Sequence, residues 1–148
     1  MPSGRSWRSP GPDVGTTGQV VIYSPGLWRL REEVAALSGL APLRGSPWRA
    51  LPCDATVAGW GHKPTADYAT AVAAKRKAPY LAIEDGWLRS VRPGTGERPS
   101  SLVLDRSGIY YDAHAPSDLE TMLETAGELA APDRANAEAA IDLLRRRR

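Results

Sequence analysis

Short apolar runs alternate along this chain with segments whose apolar residues recur at helical spacing. The runs at residues 19–23, 54–59 and 80–83 are bounded by turn-forming residues and predict buried strands. Apolar positions at helical spacing over 28–38, and small residues after Pro64 as far as 77, predict helices. Strands that alternate with helices indicate an α/β fold, a Rossmann-like and mostly parallel sheet flanked by helices.

The second half of the chain continues the pattern with less regularity. Residues 101–105 and 108–111 predict two strands joined by a tight turn, after a flexible loop at 92–100. Ser117 and Glu120 have the spacing of a capping box, so a helix should start there. A last helix is expected over 133–144.

Segments without periodicity complete the domain organisation. Residues 39–53 contain Gly and Pro without a clear period and predict a loop. Residues 1–18 are polar and predict a disordered extension. One half-domain should then cover 19–131, followed by a terminal helix with a basic tail at 132–148. That last helix should pack poorly.

Composition excludes several classes of protein. Apolar residues make up 42% of the chain, enough for a core. No apolar run reaches the roughly 20 residues that a membrane span needs, and the start has no apolar signal segment, so we expect a cytoplasmic chain. The single Cys53 excludes an internal disulfide and a cysteine-cluster metal site; no metal ligand set is predicted.

Charge is distributed unevenly. The net charge is +2, but the four terminal arginines outweigh it, and residues 19–144 carry a net charge of −3. A slightly acidic folded part is not the footprint of a nucleic-acid-binding protein, so no nucleic-acid partner is expected.

Candidate chemistry lies where strands end, because ligands of α/β sheets bind outside the carboxyl ends of the strands. Four segments there should converge on one crevice suited to a polar, anionic small molecule. Their candidate residues are His62, Lys63, Glu84, Asp85, Arg89, Ser90 and Asp105.

Each candidate also has a purely structural interpretation. Asp85 and Gly86 form a common turn pair, and His62 can be a surface or capping residue. Arg89 can form an internal ion pair with Glu84 or Asp105. Trp60 and Trp87 are more typical of packing than of substrate platforms.

Five ordered motifs carry a resemblance to a known family. They are residues 22–29 (IYSPGLWR), 59–66 (GWGHKPTA), 84–90 (EDGWLRS), 101–105 (SLVLD) and 108–112 (GIYYD). Together with Pro116 and Ser117, they resemble the start of the bacterial capsule polysaccharide biosynthesis proteins of the KpsC/LipA type. The resemblance covers about residues 20–145, and Trp87 stands where that family usually has Phe.

The resemblance implies a specific function. Such proteins are retaining β-Kdo glycosyltransferases that use CMP-Kdo, need no other cofactor and build a β-Kdo linker on a lipid acceptor. The module is GT-B-like, with the active site between two Rossmann-like halves, and this chain matches only the amino-terminal half. Peripheral contact with the inner membrane is compatible with a lipid-linked acceptor, which the chain would meet through the missing carboxyl-terminal half.

Site roles follow from the resemblance together with the residue chemistry. Asp85 is the candidate nucleophile and Glu84 its alternative. Since successive strand side chains point to opposite faces, only one of them should face the crevice. Lys63 and Arg89 would meet the carboxylate of Kdo, with Ser90, His62 and Asp105 as further substrate-binding candidates.

Two other interpretations remain open at this point. The chain can be a non-catalytic module of capsule assembly that uses the half-fold, or the product of a decayed gene fragment. If it is a transferase half, it should be inactive alone.

Overall fold

The computed structural model of the chain describes residues 18–90, 92, 96–125 and 127–146. Apart from Gly18, the predicted extension at 1–18 lies outside these residues. The elements in chain order are β1 (Gln19–Ile22), α1 (Pro25–Trp28), α2 (Arg31–Ser38), β2 (Ala41–Arg44), β3 (Ala55–Trp60), α3 (Pro64–Arg76), β4 (Tyr80–Asp85), β5 (Leu102–Asp105), α4 (Asp118–Thr125) and α5 (Ala131–Arg146).

The strands form one sheet in the spatial order β2-β1-β3-β4-β5. The first four strands in that order are parallel to one another, and β5 pairs antiparallel with β4. The chain therefore has the predicted fold class, an α/β and mostly parallel sheet flanked by helices.

Helices cover both faces because the two crossovers run in opposite directions from the middle of the sheet. Helices α1 and α2 lead from β1 out to β2, while α3 leads from β3 across to β4. Right-handed crossovers of opposite direction place their helices on opposite faces. The larger core cluster lies on the α1/α2 face and consists of Val20, Ile22, Leu27, Val34, Leu40, Ala58, Leu81 and Ile83. Val57, Ala69 and Ala73 form the smaller cluster under α3.

The helix predicted over 28–38 is two helices. Ser24 caps α1, since its hydroxyl accepts a hydrogen bond from the Leu27 N–H at 3.3 Å, and Pro25 follows as the first helical residue. The chain then leaves helical geometry at Leu30 before α2 begins. Ser24, Pro25 and Gly26, which follow the first predicted strand, therefore start a helix.

The strand β2 corrects the prediction of a continuous loop over 39–53. It lies at the sheet edge and pairs only with β1. Pro42 has no N–H to donate, and an edge strand tolerates this because one of its sides needs no partner. The four residues of β2 include a proline and show no alternation of apolar and polar side chains, so the sequence pattern did not predict a strand there.

The second strand of the predicted hairpin, at 108–111, is not formed, and this segment contains turns instead. The cause is the buried Asp105. One of its carboxylate oxygens accepts the N–H groups of Ser107 and Gly108 at 2.9 and 2.8 Å, which turns the chain away from the sheet. The other oxygen accepts the Asp118 N–H at 2.9 Å and so fixes the start of α4.

The capping box is confirmed. The Ser117 hydroxyl accepts the Glu120 N–H at 3.1 Å, and the Glu120 carboxylate accepts the Ser117 N–H at 2.9 Å. The last predicted helix makes little contact: α5 buries none of its residues, as expected, and α4 buries none either. Within the described part of the chain, every helix is too short or too polar to cross a membrane.

Candidate functional site

Two adjacent carboxylates end strand β4 and lie on different sides of it. Asp85 is 8% exposed, and its Oδ2 lies 2.5 Å from the Nε of Arg89. The Glu84 carboxylate instead accepts hydrogen bonds from the Trp60 indole N–H and the Tyr111 hydroxyl, each at 3.1 Å. The pleat of the strand separates these two groups, as the sequence predicted.

Asp85 opens into a cavity of about 200 Å³ at the carboxyl edge of the sheet, here called the Asp85 cavity. The lining includes Trp60, Asp85, Arg89, Ser90, Arg92 and Glu97, so its charged side chains are two arginines and two carboxylates. Arginine guanidinium groups in such a mixed lining can pair with the carboxylate or phosphate of an anionic ligand.

Hydrogen bonds from Ser100 and Ser101 to the start of the loop after β4 hold Arg89 and Ser90 near Asp85. The Ser100 N–H donates to the Arg89 carbonyl at 2.5 Å, and the Ser101 hydroxyl donates to the Leu88 carbonyl at 2.9 Å. Farther along, Arg98 donates to the Arg29 carbonyl at 2.5 Å and pairs with Glu33 at 3.3 Å. The far wall of the cavity is thereby tied to the α1/α2 side of the sheet.

Gly86, which follows Asp85, allows a close approach of two backbone segments. A Cβ at this position would lie 2.3 Å from the Ser101 hydroxyl oxygen and 3.1 Å from its backbone carbon. The glycine therefore lets the returning chain approach β4, where the Gly86 N–H donates to the Ser101 carbonyl at 2.8 Å.

A second, larger cavity of about 540 Å³ lies on the α3 face, here called the His62 cavity. His62 and Asp112 stand at one side of it, with 3.7 Å between the His62 Nε2 and an Asp112 carboxylate oxygen. Alanines of α3 and β4 form much of its floor. The expectation of one crevice is therefore wrong, since the candidate residues divide between two cavities.

The remaining candidates fall outside the Asp85 cavity. Lys63 places its ammonium 4.5 Å from the centroid of the ring of Trp60, which lines that cavity. Asp105 lines the His62 cavity and is 1% exposed. Both its oxygens accept backbone N–H groups, so the Asp105 carboxylate holds the local backbone.

Two other expectations need correction. Arg89 pairs with Asp85, not with Glu84 or Asp105. Trp60 packs against the core, but Trp87 is 96% exposed, so packing does not explain it in this structure. Trp87 lies two residues after Asp85, at the start of the loop that follows β4.

Sequence reasoning missed Tyr111 as a member of the site region. Burial, together with the charge and the hydrogen bond of Glu84, raises the pKa of Tyr111 to about 12. The Tyr110–Tyr111 pair looked like strand, and only the turn made by Asp105 brings Tyr111 to Glu84. Among the described residues, no three His, Cys, Asp or Glu side chains gather as metal ligands do.

Comparison with known proteins identifies the chain's relatives. The family profile of capsule polysaccharide biosynthesis proteins matches residues 55–146. The capsule polysaccharide modification protein LipA of Neisseria meningitidis serogroup B is 43% identical over 89 residues, 60% of this chain. The lipopolysaccharide-processing protein LpsZ of Rhizobium meliloti is 45% identical over 56 residues, 37% of this chain. In each case the match covers 13% of the relative's length.

Solved structures show the same similarity at the level of the fold. The chain is similar to a β-Kdo 2,4 transferase, KpsC of Thermosulfurimonas dismutans, with a TM-score of 0.69 and 36% identity over 86% of this chain. That match covers 39% of the transferase structure. The KpsC β-Kdo 2,7 transferase of the same organism shares the fold, with a TM-score of 0.55 and 24% identity.

The family profile spans more than half of the chain, across the strands and helices that build both cavities. This chain therefore belongs to the capsule polysaccharide biosynthesis protein family.

Proposed function

We propose that this chain is the amino-terminal half of a retaining β-Kdo glycosyltransferase with GT-B architecture. In this proposal the complete enzyme transfers Kdo from CMP-Kdo to a lipid-linked capsule linker. The observation that carries the proposal is Asp85, a nearly buried carboxylate at a strand end, paired with Arg89 and open to a cavity that two arginines line. The similarity to a β-Kdo transferase at 36% identity supports the choice of sugar.

Asp85 is suited to act as the nucleophile of a double displacement. Its carboxylate oxygen would bond to the anomeric carbon while the bond from that carbon to the CMP phosphate oxygen breaks. The electron pair leaves with CMP. The acceptor hydroxyl oxygen would then attack the same carbon, the bond to Asp85 would break, and the hydroxyl proton would pass to a base. Two inversions give retention, as in retaining glycosidases.

Two cations beside this carboxylate suit a sugar acid. The Arg89 side chain is more than half exposed, and its Nε is the atom that holds Asp85. Its Nη groups would bind the Kdo carboxylate in a paired geometry. Lys63, whose ammonium lies over the ring of Trp60, would add a second positive charge. Ser90 supplies a hydroxyl to the same cavity.

The 148-residue chain by itself is expected to be inactive. A glycosyl transition state needs the leaving phosphate held and its charge stabilised, and in this family type those groups are expected in the second half. Incubation of the purified chain with CMP-Kdo and an acceptor should release no CMP above background. Transfer by the chain alone would contradict the division of the site between two halves.

A hybrid enzyme tests the proposal itself. Residues 19–146 would replace the matched part of the Thermosulfurimonas dismutans KpsC β-Kdo 2,4 transferase. The hybrid should transfer Kdo, and Asp85→Asn should lower kcat by about 10³-fold or more, since loss of the nucleophile removes a whole chemical step. Asp54→Asn, the same change at the exposed opposite end of β3, is the matched control and should transfer normally. An active Asp85→Asn hybrid would refute the role of Asp85.

A further inference from the structure

Three segments that are far apart in sequence meet at the Glu84 side chain. Trp60 ends β3, Glu84 lies near the end of β4, and Tyr111 belongs to the turns after β5. Both aromatic residues donate to the Glu84 carboxylate at 3.1 Å, Trp60 to Oε1 and Tyr111 to Oε2. Glu84 therefore joins the two strands that flank the Asp85 cavity to the segment that follows the sheet.

The contact of Trp60, Glu84 and Tyr111 is here called the Glu84 junction. A third hydrogen bond connects it directly to the proposed nucleophile. The backbone N–H of Asp85 donates to Glu84 Oε1 at 3.0 Å. One carboxylate thus accepts two N–H groups on Oε1 and one hydroxyl on Oε2. These three bonds use most of the hydrogen-bond acceptor sites of a carboxylate, so few remain for contact with a substrate.

We infer that Glu84 is a positioning residue and that it holds the backbone of Asp85, and through it the Asp85–Arg89 pair, in the geometry of the site. Trp60 and Tyr111 act with it, because they fix the Glu84 carboxylate from two sides. The catalytic meaning of this arrangement rests on the proposed function of Asp85. The arrangement itself does not.

Close packing around the junction supports this inference. Gly61 has a φ of +52°, and a Cβ there would lie 2.3 Å from Glu84 Oε2 and 2.9 Å from the Tyr111 hydroxyl. The backbone of the turn after β3 therefore lies directly against the Glu84–Tyr111 hydrogen bond. A carboxylate enclosed in this way has few alternative rotamers, which is the condition for holding a neighbour in place.

The protonation of Tyr111 also fits a fixed junction. Its pKa is raised to about 12, so the hydroxyl stays protonated and remains a donor across the physiological range. The ring of His62 lies 5.5 Å from the Tyr111 ring, and Tyr110 lies against its edge at 5.4 Å. The side chains that donate to Glu84, Trp60 and Tyr111, are therefore neutral donors, and the titratable neighbours of Tyr111 are Glu84, Tyr110 and His62.

Two substitutions separate positioning from direct chemistry. Glu84→Gln keeps the shape and an amide oxygen for Trp60 and the Asp85 N–H, and the Tyr111 hydroxyl can rotate to accept from the amide NH₂. Glu84→Ala removes the junction. A positioning residue is rescued by glutamine, whereas a residue that transfers protons or attacks the sugar is not.

The decisive measurement uses the 148-residue chain labelled with ¹⁵N. The Trp60 indole N–H, the Asp85 amide and the Arg89 Nε–H should keep their shifts and slow exchange in Glu84→Gln. In Glu84→Ala all three should shift and exchange faster, and Tyr111→Phe should give an intermediate change. Glu32→Ala, at an exposed glutamate on α2, is the control and should change none of them. Unchanged signals in Glu84→Ala would overturn the inference, whether or not Kdo transfer is ever observed.

The same variants in the hybrid enzyme give the functional readout. Glu84→Ala should lower kcat about 100-fold with little change in KM, the effect of misplacing a reacting group. Glu84→Gln should restore most of that loss. Equal losses in Glu84→Gln and Glu84→Ala, with the signals of Glu84→Gln intact, would overturn the positioning role and make Glu84 a reacting group. A hybrid that is inactive with its wild-type residues would count against the proposed function only, because the resonance data still decide the inference.

Discussion

Asp85 and Glu84 are chemically similar, and their surroundings give them different roles. Asp85 has one cationic partner and opens into a cavity, so it keeps a lone-pair direction for an incoming carbon. Glu84 is bound by an indole, a phenol and a backbone amide. The alternation of side chains along β4 separates them, and the neighbours that each one meets decide its chemistry.

Gly61 offers a residue-scale test of the packing around Glu84. Gly61→Ala should destabilise the chain by about 2–4 kcal/mol, since it adds the cost of a left-handed alanine to that of displacing Glu84. Gly96→Ala is the control, because Gly96 also has a positive φ but no atom lies within 4 Å of its added Cβ. It should lose only about 1 kcal/mol. If urea denaturation shows equal losses in the free energy of unfolding for the two variants, the Glu84 side chain can move aside at little cost.

Tyr111 gives the stability a dependence on alkaline pH. Its folded pKa of about 12 lies above the ordinary value of 10, so folding favours the neutral phenol. This contribution is complete below about pH 10 and is lost as the pH rises towards 12. The side chain is 47% exposed, so solvent screens the effect and keeps it small. The stability difference between wild type and Tyr111→Phe should therefore shrink from about pH 9 to pH 11. A constant difference would contradict the raised pKa of Tyr111.

At the scale of elements, Asp105 explains why the chain leaves the sheet after β5. Its carboxylate accepts three backbone N–H groups, from the turn at 107–108 and from the first residue of α4. The turn carries Tyr111 to Glu84, and the α4 start is fixed further by its capping box. One buried aspartate thereby organises the segment that closes the junction.

Asp105→Asn tests this role of the turn. The amide can accept at only one oxygen, so at least one partly buried N–H loses its acceptor, which should cost about 1–3 kcal/mol. Asp54→Asn at an exposed site is the matched control and should change the free energy of unfolding by less than about 0.5 kcal/mol. A stable Asp105→Asn variant would show that the turn does not depend on the carboxylate.

Helices α1 and α5 differ in what they bury, and that difference is measurable. Leu27 in α1 is fully buried in the larger core cluster, whereas Ile141 in α5 is about half exposed. Leu27→Ala should cost about 2–5 kcal/mol, and Ile141→Ala should cost less than about 0.5 kcal/mol in this chain. A large loss from Ile141→Ala would show that α5 packs against the domain in solution.

At the scale of the whole molecule, sequence patterns predict what depends on periodicity. The parallel strands β1, β3 and β4, the helix after Pro64 and the capping box at Ser117 follow from local spacing and are confirmed. The edge strand β2 was missed because Pro42 interrupts it. The hairpin at 108–111 was wrong because a local turn, in which the Asp105 carboxylate accepts the N–H groups two and three residues on, overrides the strand propensity of two tyrosines.

The site follows the same rule. Residue types at strand ends identify Asp85, Arg89 and Ser90, which the structure brings to one cavity. Local spacing cannot show that His62 and Asp105 line a different cavity, since that depends on which face each turn reaches. Nor can it show that Tyr111 reaches Glu84 over 27 residues. These contacts are consequences of the three-dimensional path between elements.

In the proposed function Asp85 bonds covalently to the transferred sugar, and mass spectrometry can detect that bond. The hybrid enzyme would be mixed with CMP-Kdo without acceptor, quenched in acid, digested and sequenced by fragmentation. We predict one Kdo adduct, on the peptide that contains Asp85, with fragments that assign it to the Asp85 carboxylate; it should be absent in Asp85→Asn and present in Asp54→Asn. An adduct on Glu84 or elsewhere, or the absence of any adduct in a hybrid that transfers Kdo and is trapped within one turnover, would contradict the account.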